Sequence, residues 1–178
     1  MRLRRKRKVA MPTPSQTVGP FFRAALHRPA WEDIAAQLGG TAIRISGRVL
    51  DGDGAPVPDA MLEIWQADES GTYADGTIRG FGRACTNERG EFALTTIVPG
   101  AQEGAPHLNV SVFARGLLKR LVTRIYFADR AEDNARDAAL MLVPPERRAT
   151  LLATGDGNGS YRFDVALQGG GETVFFAI

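Results

Sequence analysis

Two residues at the start of a predicted strand have side chains able to bind a metal ion. His107 and Asn109 stand two positions apart, directly after Pro106, so both side chains point to the same face of the strand. A pair of histidines at this spacing would be a strong candidate for metal ligation, whereas one imidazole and one weak amide are a poor donor set. From the spacing alone, a polar pair that closes a sheet edge is the simpler interpretation.

Two further side chains leave more than one function open. Arg124 shares a predicted strand face with Val122 and Tyr126, where a half-buried guanidinium group needs a planar acceptor. That acceptor could be an internal carboxylate, which would make an ion pair, or an anion from outside the chain. Tyr73 follows a predicted strand in a loop, a position more typical of a rim residue than of a ligand. Cys85 lies within a strand and is interpreted as a small core side chain.

Composition indicates one globular domain that needs neither disulfides nor a membrane. The chain has 178 residues, of which 44% are hydrophobic and 24% charged, and it contains one cysteine. The single thiol favours a reducing, cytoplasmic compartment, and no apolar run is long enough to span a bilayer. Six of the 22 basic residues lie in the first eight positions, which leaves 16 against 20 acidic residues and a formal charge of −4 elsewhere. This acidic balance argues against nucleic-acid binding.

The pattern of elements predicts an all-β fold, an antiparallel β-sandwich with an N-terminal arm and a few short helices. We expect a basic tail at 1–10, either disordered or the product of a start codon assigned too early. An irregular arm and one short helix (31–38) follow within 11–40, and the β-sandwich domain occupies 41–178. Alternating apolar residues and turn signals predict strands from residue 42 and at 60–66, 81–86, 91–98, 107–114, 121–127, 160–168 and 172–177. Short helices are expected between 130 and 153.

Four segments taken in order resemble the intradiol ring-cleavage dioxygenases. They are TPSQTVGPFF at 13–22, GRVLDGDGAPVPDAMLEIWQADESGTY at 47–73, APHLNVSVFARG at 105–116 and YRFDVALQGGGETVFF at 161–176. The resemblance implies a prealbumin-like sandwich and an enzyme that opens a catechol ring between its two hydroxyls with O2. Catalytic chains of this family hold Fe(III) with two tyrosines and two histidines, because phenolates are hard anionic donors that favour ferric iron.

Matched residue by residue, the chain keeps half of that ligand set. Tyr73 and His107 correspond to one tyrosine and one histidine ligand, whereas Gln102 and Asn109 stand where the others are expected. The resemblance therefore implies that this chain holds no metal and that these four positions are vestigial. It implies that Fe(III) is held by a homologous beta chain with intact ligands, in an αβ hetero-oligomer of higher order.

In such a two-chain member of the family, the non-iron chain shapes the substrate pocket of its partner. The residues that match its contacts here are Thr17, Gly19, Pro20 and Arg124. The substrate implied is protocatechuate, which is converted with O2 to 3-carboxy-cis,cis-muconate in the beta-ketoadipate pathway of aromatic catabolism. Two alternatives are a non-enzymatic prealbumin-like binding module and a self-sufficient dioxygenase with an altered iron site. The intact arm argues against the first, and the depleted ligand set argues against the second.

Overall fold

Nine β-strands form the body of the protein in a computed structural model that describes residues 13–74, 77–101 and 103–177. Six strands lie within one residue of the predicted positions: β1 Ala42–Leu50, β2 Met61–Trp65, β3 Phe81–Cys85, β4 Glu91–Ile97, β5 His107–Phe113 and β6 Leu121–Phe127. The others are short: β7 Leu152–Gly155, β8 Ser160–Arg162 and β9 Val165–Ala166. The predicted all-β character is therefore confirmed.

The helices are short, and their positions correct several expectations. The α-helices are α1 Phe22–Leu26, α2 Ala131–Asn134 and α3 Ala138–Met141, and 3₁₀ turns occupy Pro29–Trp31, Ala35–Gln37 and Pro145–Leu151. The predicted helix at 31–38 is wrong, because Asp33 forms a β-bridge with Thr95 and splits it into two turns. The arm is not wholly irregular, since it contains α1.

Two predicted strands at the C-terminal end are also wrong in extent. Residues 160–168 form two strands, β8 and β9, instead of one. Residues 172–177 form no strand, although the amide of Phe176 donates to the carbonyl of Val122 at 2.7 Å and that of Thr173 to Ala166 at 2.9 Å. The segment is therefore held against β6 and β9 by single bonds instead of a continuous ladder.

The strands follow one hydrogen-bonded path in the order β3-β2-β5-β6-β7-β8-β1-β4, with β9 added beside β1. Five pairings are antiparallel, whereas β6–β7, β1–β8 and β1–β9 are parallel. The expectation of a purely antiparallel sheet is thus wrong at the three pairings that involve short C-terminal strands. In the described part of the chain, no helix has the length and apolar character required to cross a membrane.

One apolar core holds both ends of this path together. Side chains of β1 and β4, such as Ile45 and Leu94, belong to the same cluster as Leu62 of β2 and Leu108 of β5. A second, smaller cluster packs α3 and the turn after it against Tyr126 of β6, on the opposite side of that strand. Because β6 is covered by apolar contacts on both sides, its polar side chains are held in fixed positions.

Candidate functional site

The polar candidates from the sequence lie together on the face of β2, β5 and β6 that is turned away from the main core, called the outer face below. Pairing of β5 with β6 places Asn109 opposite Arg124 and His107 opposite Tyr126, and pairing of β2 with β5 places Trp65 opposite Asn109. The neighbouring positions on these strands point into the core, as the predicted alternation requires. The sheet register therefore brings together residues that are far apart in the sequence.

Tyr73 reaches the outer face because its loop is folded around one aspartate. The carboxylate of Asp68 accepts bonds from the amides of Ser70 and Thr72, at 2.9 and 3.0 Å, and from the Ser70 hydroxyl at 2.7 Å. These bonds, that of the Ser70 hydroxyl first, lower the pKa of Asp68. The turn lays the Tyr73 ring on Trp65, with ring centroids 6.3 Å apart and an interplanar angle of 21°.

Tyr73 and His107 line one open cavity of about 480 Å³, together with Glu103 and several glycines and alanines. No hydrogen bond joins Tyr73 to His107 in the described part of the chain. The Asn109 amide donates to the Tyr73 hydroxyl at 2.9 Å and to the carbonyl of Trp65 at 3.3 Å. His107 uses Nδ1 to donate to the carbonyl of Ala105 at 2.9 Å. Three of the four vestigial positions, Tyr73, His107 and Asn109, are thus hydrogen-bonded within the chain.

The residues of this cavity do not fit a ferric ion. It offers one imidazole, one phenol and the single carboxylate of Glu103 instead of two imidazoles and two phenols, and Asn109 donates a hydrogen bond from its neutral amide to that phenol. Burial lowers the pKa of His107, so the imidazole stays neutral. Because Nδ1 is bonded to Ala105, Nε2 is the nitrogen that could coordinate a metal. Within the described residues, no three His, Cys, Asp or Glu side chains cluster as metal ligands would. Gln102, the fourth vestigial position, lies outside the described residues.

Arg124 is half-buried and keeps donors available. Its Nη1 donates to the Tyr126 hydroxyl at 3.2 Å, and its guanidinium carbon lies 6.0 Å from the centre of the Phe176 ring. In the chain as far as it is described, no carboxylate lies within salt-bridge distance of it. Of the two partners left open by the sequence, the internal ion pair is therefore wrong for the described residues.

Burial raises the pKa of Tyr126 to about 12, so this side chain stays a neutral phenol at physiological pH. Sequence reasoning placed Tyr126 on the same strand face as Arg124 and missed the hydrogen bond between them. It also missed Asp137, which accepts the Tyr126 hydroxyl at 3.0 Å. The only local signal was an aspartate directly before Ala138–Met141, a typical helix N-cap.

The three arm residues lie apart from the cavity, on the surface near the β5–β6 turn. The Thr17 hydroxyl accepts the amide of Gly116 at 2.7 Å, which fastens the arm to the body. Gly19 and Pro20 are exposed. A Cβ built on Gly19 would have no atom within 4 Å, so nothing within the described chain requires glycine there. Phe21, the next residue after Pro20, is 80% exposed.

Comparison with known proteins assigns the chain to a family. A family model described as "Dioxygenase" matches residues 19–169. The alpha chain of protocatechuate 3,4-dioxygenase from Burkholderia cepacia is 42% identical over 93% of this chain and 97% of its own length. The beta chain from the same organism is 32% identical and covers 73% of this chain and 66% of its own length. This chain is therefore similar to both partners of a two-chain enzyme, and more fully to the alpha chain.

A solved structure supports the same assignment. The dioxygenase domain of a dioxygenase–carbohydrate-binding fusion from Streptomyces sp. SirexAA-E superposes with a TM-score of 0.65 at 30% identity. The match covers 89% of this chain and 99% of that domain. Both comparisons confirm the family indicated by the sequence motifs.

Proposed function

The chain belongs to the dioxygenase family that includes the alpha chains of protocatechuate 3,4-dioxygenase, and we propose that it works as the non-iron, pocket-shaping subunit of such an enzyme. Its partner is a homologous beta chain with intact tyrosine and histidine ligands, which holds the Fe(III) of the family. Together the two chains convert protocatechuate and O2 to 3-carboxy-cis,cis-muconate, a step of aromatic catabolism through the beta-ketoadipate pathway. The lone chain is inactive.

The observation that carries this proposal is the depleted ligand set at the vestigial positions. Asn109 stands in place of a histidine and donates to the Tyr73 hydroxyl, so that His107 is the only imidazole in the cavity lining. A chain with such a site needs the iron of another chain, whereas its similarity to alpha chains extends over nearly its whole length. A supporting subunit can lose its metal ligands, because the partner holds the metal, while the remainder of its sequence stays similar to that of other alpha chains.

Arg124 supplies charge to the shared pocket in this proposal. Protocatechuate carries a carboxylate, and a guanidinium group binds a carboxylate with two parallel hydrogen bonds. Arg124 keeps donors for such a bond because it has no acidic partner among the described residues. Electrostatic attraction at a half-buried site exceeds that in water, since the surrounding dielectric is lower.

The arm supplies shape. Thr17, Gly19 and Pro20 form an exposed strip next to Phe21, which is 80% exposed. Apolar surface of this kind is stabilised by contact with a partner. Gly19 has open space around its Cβ position, and glycine there permits the close approach of another chain. We therefore place this strip at the wall of the beta chain's pocket.

The finer features of the fold belong to the same proposal. The ends of the nine-strand path share one core, which supports two facing layers of a prealbumin-like sandwich. The division into a tail at 1–10, an arm at 11–40 and a β-domain at 41–178 follows the sequence pattern. Assembly as an αβ hetero-oligomer of higher order follows the two-chain relatives. The buried free thiol of Cys85 supports a cytoplasmic location.

The test is co-expression with the candidate beta chain, followed by measurement of iron content and protocatechuate-dependent O2 uptake. We expect iron and turnover in the co-expressed sample and neither in the lone chain. Arg124→Ala should raise KM for protocatechuate by about 10- to 100-fold without loss of iron, because a hydrogen bond between charged groups contributes about 1.5–3 kcal/mol. An iron-loaded, active lone chain would contradict the proposal. An inert complex with a folded beta chain would favour the binding module.

A further inference from the structure

Behind Arg124 lies a buried chain of three hydrogen-bonded side chains. Arg124 Nη1 contacts the Tyr126 hydroxyl at 3.2 Å, and this hydroxyl contacts Asp137 Oδ1 at 3.0 Å. Tyr126 is fully buried, and Asp137 is 4% exposed. The chain runs from the outer face of β6 into the second apolar cluster, where neither Tyr126 nor Asp137 has solvent to compete for its bonds.

Asp137 is fixed in place by the backbone of two other segments. Its Oδ2 accepts the amide of Ala105 at 3.1 Å, and its Oδ1 accepts the amide of Leu140 at 2.8 Å as the N-cap of α3. Gly104 adopts φ of +73°, and a Cβ there would lie 2.5 Å from Asp137 Oδ2. Two backbone amides and the close approach of Gly104 therefore hold the carboxylate in place.

The direction of these bonds determines what Tyr126 offers to Arg124. Although burial acts in the opposite direction, the bonds from Leu140, Ala105 and Tyr126 lower the pKa of Asp137, so this group is an ionised acceptor. A phenol has a single proton, and Tyr126 donates it to Asp137. Toward Arg124 the same oxygen can act only as an acceptor. The Tyr126 oxygen therefore accepts a hydrogen bond from Nη1 of Arg124 and holds that end of the guanidinium group.

We propose that Tyr126 and Asp137 are positioning residues that hold the guanidinium group of Arg124 in the orientation needed to bind the substrate carboxylate. The inference rests on the proposed function, since it assigns to Arg124 the carboxylate of protocatechuate. Asp137 orients Tyr126, Tyr126 anchors Nη1, and the Phe176 ring lies within 6.0 Å of the guanidinium carbon. The other guanidinium donors have no hydrogen-bond acceptor among the described residues. Long arginine side chains lose much rotamer freedom on binding, and anchoring removes part of that cost beforehand.

The test uses the co-expressed αβ enzyme with Tyr126→Phe, which keeps the ring in the apolar cluster and removes only the hydroxyl. We expect KM for protocatechuate to rise about three- to tenfold, the range that a hydrogen bond of about 0.5–1.5 kcal/mol gives, with kcat and iron content retained. The affinity for catechol, which lacks the carboxylate, should stay unchanged, measured as KM or as an inhibition constant. A merely structural role would alter both affinities alike.

A second tyrosine provides the matched control. The Tyr161 hydroxyl donates to Asp129 Oδ2 at 2.8 Å, and Tyr161 is 8% exposed, but the Tyr161–Asp129 pair makes no contact with Arg124. Tyr161→Phe removes the same group from a comparable environment and should leave both affinities unchanged. In an Arg124→Ala background, Tyr126→Phe should add no further rise in KM, because residues that act through one another are not additive.

The outcomes separate this inference from the proposed function. No protocatechuate turnover by the wild-type complex overturns both. A normal KM in Arg124→Ala overturns the role of Arg124, and the positioning role with it. If Arg124→Ala raises KM but Tyr126→Phe does not, or if the two effects add, only the positioning role is overturned. Lowered stability with equal loss of protocatechuate and catechol affinity also overturns it.

Discussion

The vestigial cavity and the N-terminal arm differ in where their side chains find partners. At the cavity, Asn109 donates a hydrogen bond to the Tyr73 hydroxyl, and His107 donates one to the carbonyl of Ala105. In the arm, Phe21 is 80% exposed and the space around Gly19 is open. Tyr73, Asn109 and His107 thus have hydrogen-bond partners within the chain, whereas the exposed Phe21 ring lies largely in solvent. On the proposed function, this chain acts through the exposed strip of its arm and through Arg124, and not through the pocket that resembles an active site.

Removal of residues 1–20, which include the exposed strip of the arm, should cause the largest loss of activity. A chain that begins at residue 21 loses Thr17, Gly19 and Pro20, and we expect kcat/KM of the αβ enzyme to fall by about 100-fold, as for a misplaced positioning element. The melting temperature of the lone chain should change by less than about 2 °C, since the Thr17–Gly116 bond is a single exposed contact. Steady-state kinetics and calorimetry measure the two effects.

A chain that begins at Met11 is the matched control, because it removes the basic tail and keeps the arm. Its kcat/KM should equal that of the full chain. Normal kinetics after loss of residues 1–20 would remove the functional role of the arm. A large loss of stability in the lone chain would show instead that the arm serves its own fold.

The strands were predictable from sequence because their burial alternates with a period of two, as in Leu108, Val110 and Val112 of β5. Helix α1 was not, since its first turn has no capping side chain. The sequence predicts short helices between 130 and 153, whereas β7 begins at Leu152. Its pairing with β6 and β8, in which Tyr126 lies opposite Leu152 and Thr154 opposite Arg162, overrides local propensity.

The site was predictable only where one segment carried the information. His107 and Asn109 share a strand, and alternation alone puts them on one face. The partner of Tyr73 could not be foreseen, because Asn109 lies 36 residues away. Asp137 was missed for the same reason, since its contact with Ala105 spans 32 residues. A hydrogen bond between distant segments depends on sheet register and loop path, which no local pattern encodes.

Disruption of the cavity should affect stability and not catalysis. Asn109→Ala removes the bonds to Tyr73 and to the Trp65 carbonyl, at 2.9 and 3.3 Å. We expect a loss of about 1 kcal/mol in the free energy of unfolding, measured by urea denaturation, with kcat/KM of the complex within twofold of wild type. Tyr73→Phe is the milder companion, because Tyr73 is 40% exposed and its bond competes with water. A tenfold loss of activity in either variant would place the cavity within the working site.

The smallest effect concerns pH and follows from the neutral imidazole of His107. Burial lowers the folded-state pKa of His107 below the unfolded value of 6.5, so between these two values the unfolded chain binds more protons. The free energy of unfolding contributed by His107 is therefore fully present above pH 6.5 and is lost as pH falls through that window. Urea denaturation between pH 5 and 7.5 should show this slope in the lone chain, reduced in His107→Gln. An equal slope in His107→Gln and wild type would mean that His107 is not held as a neutral, internally bonded group.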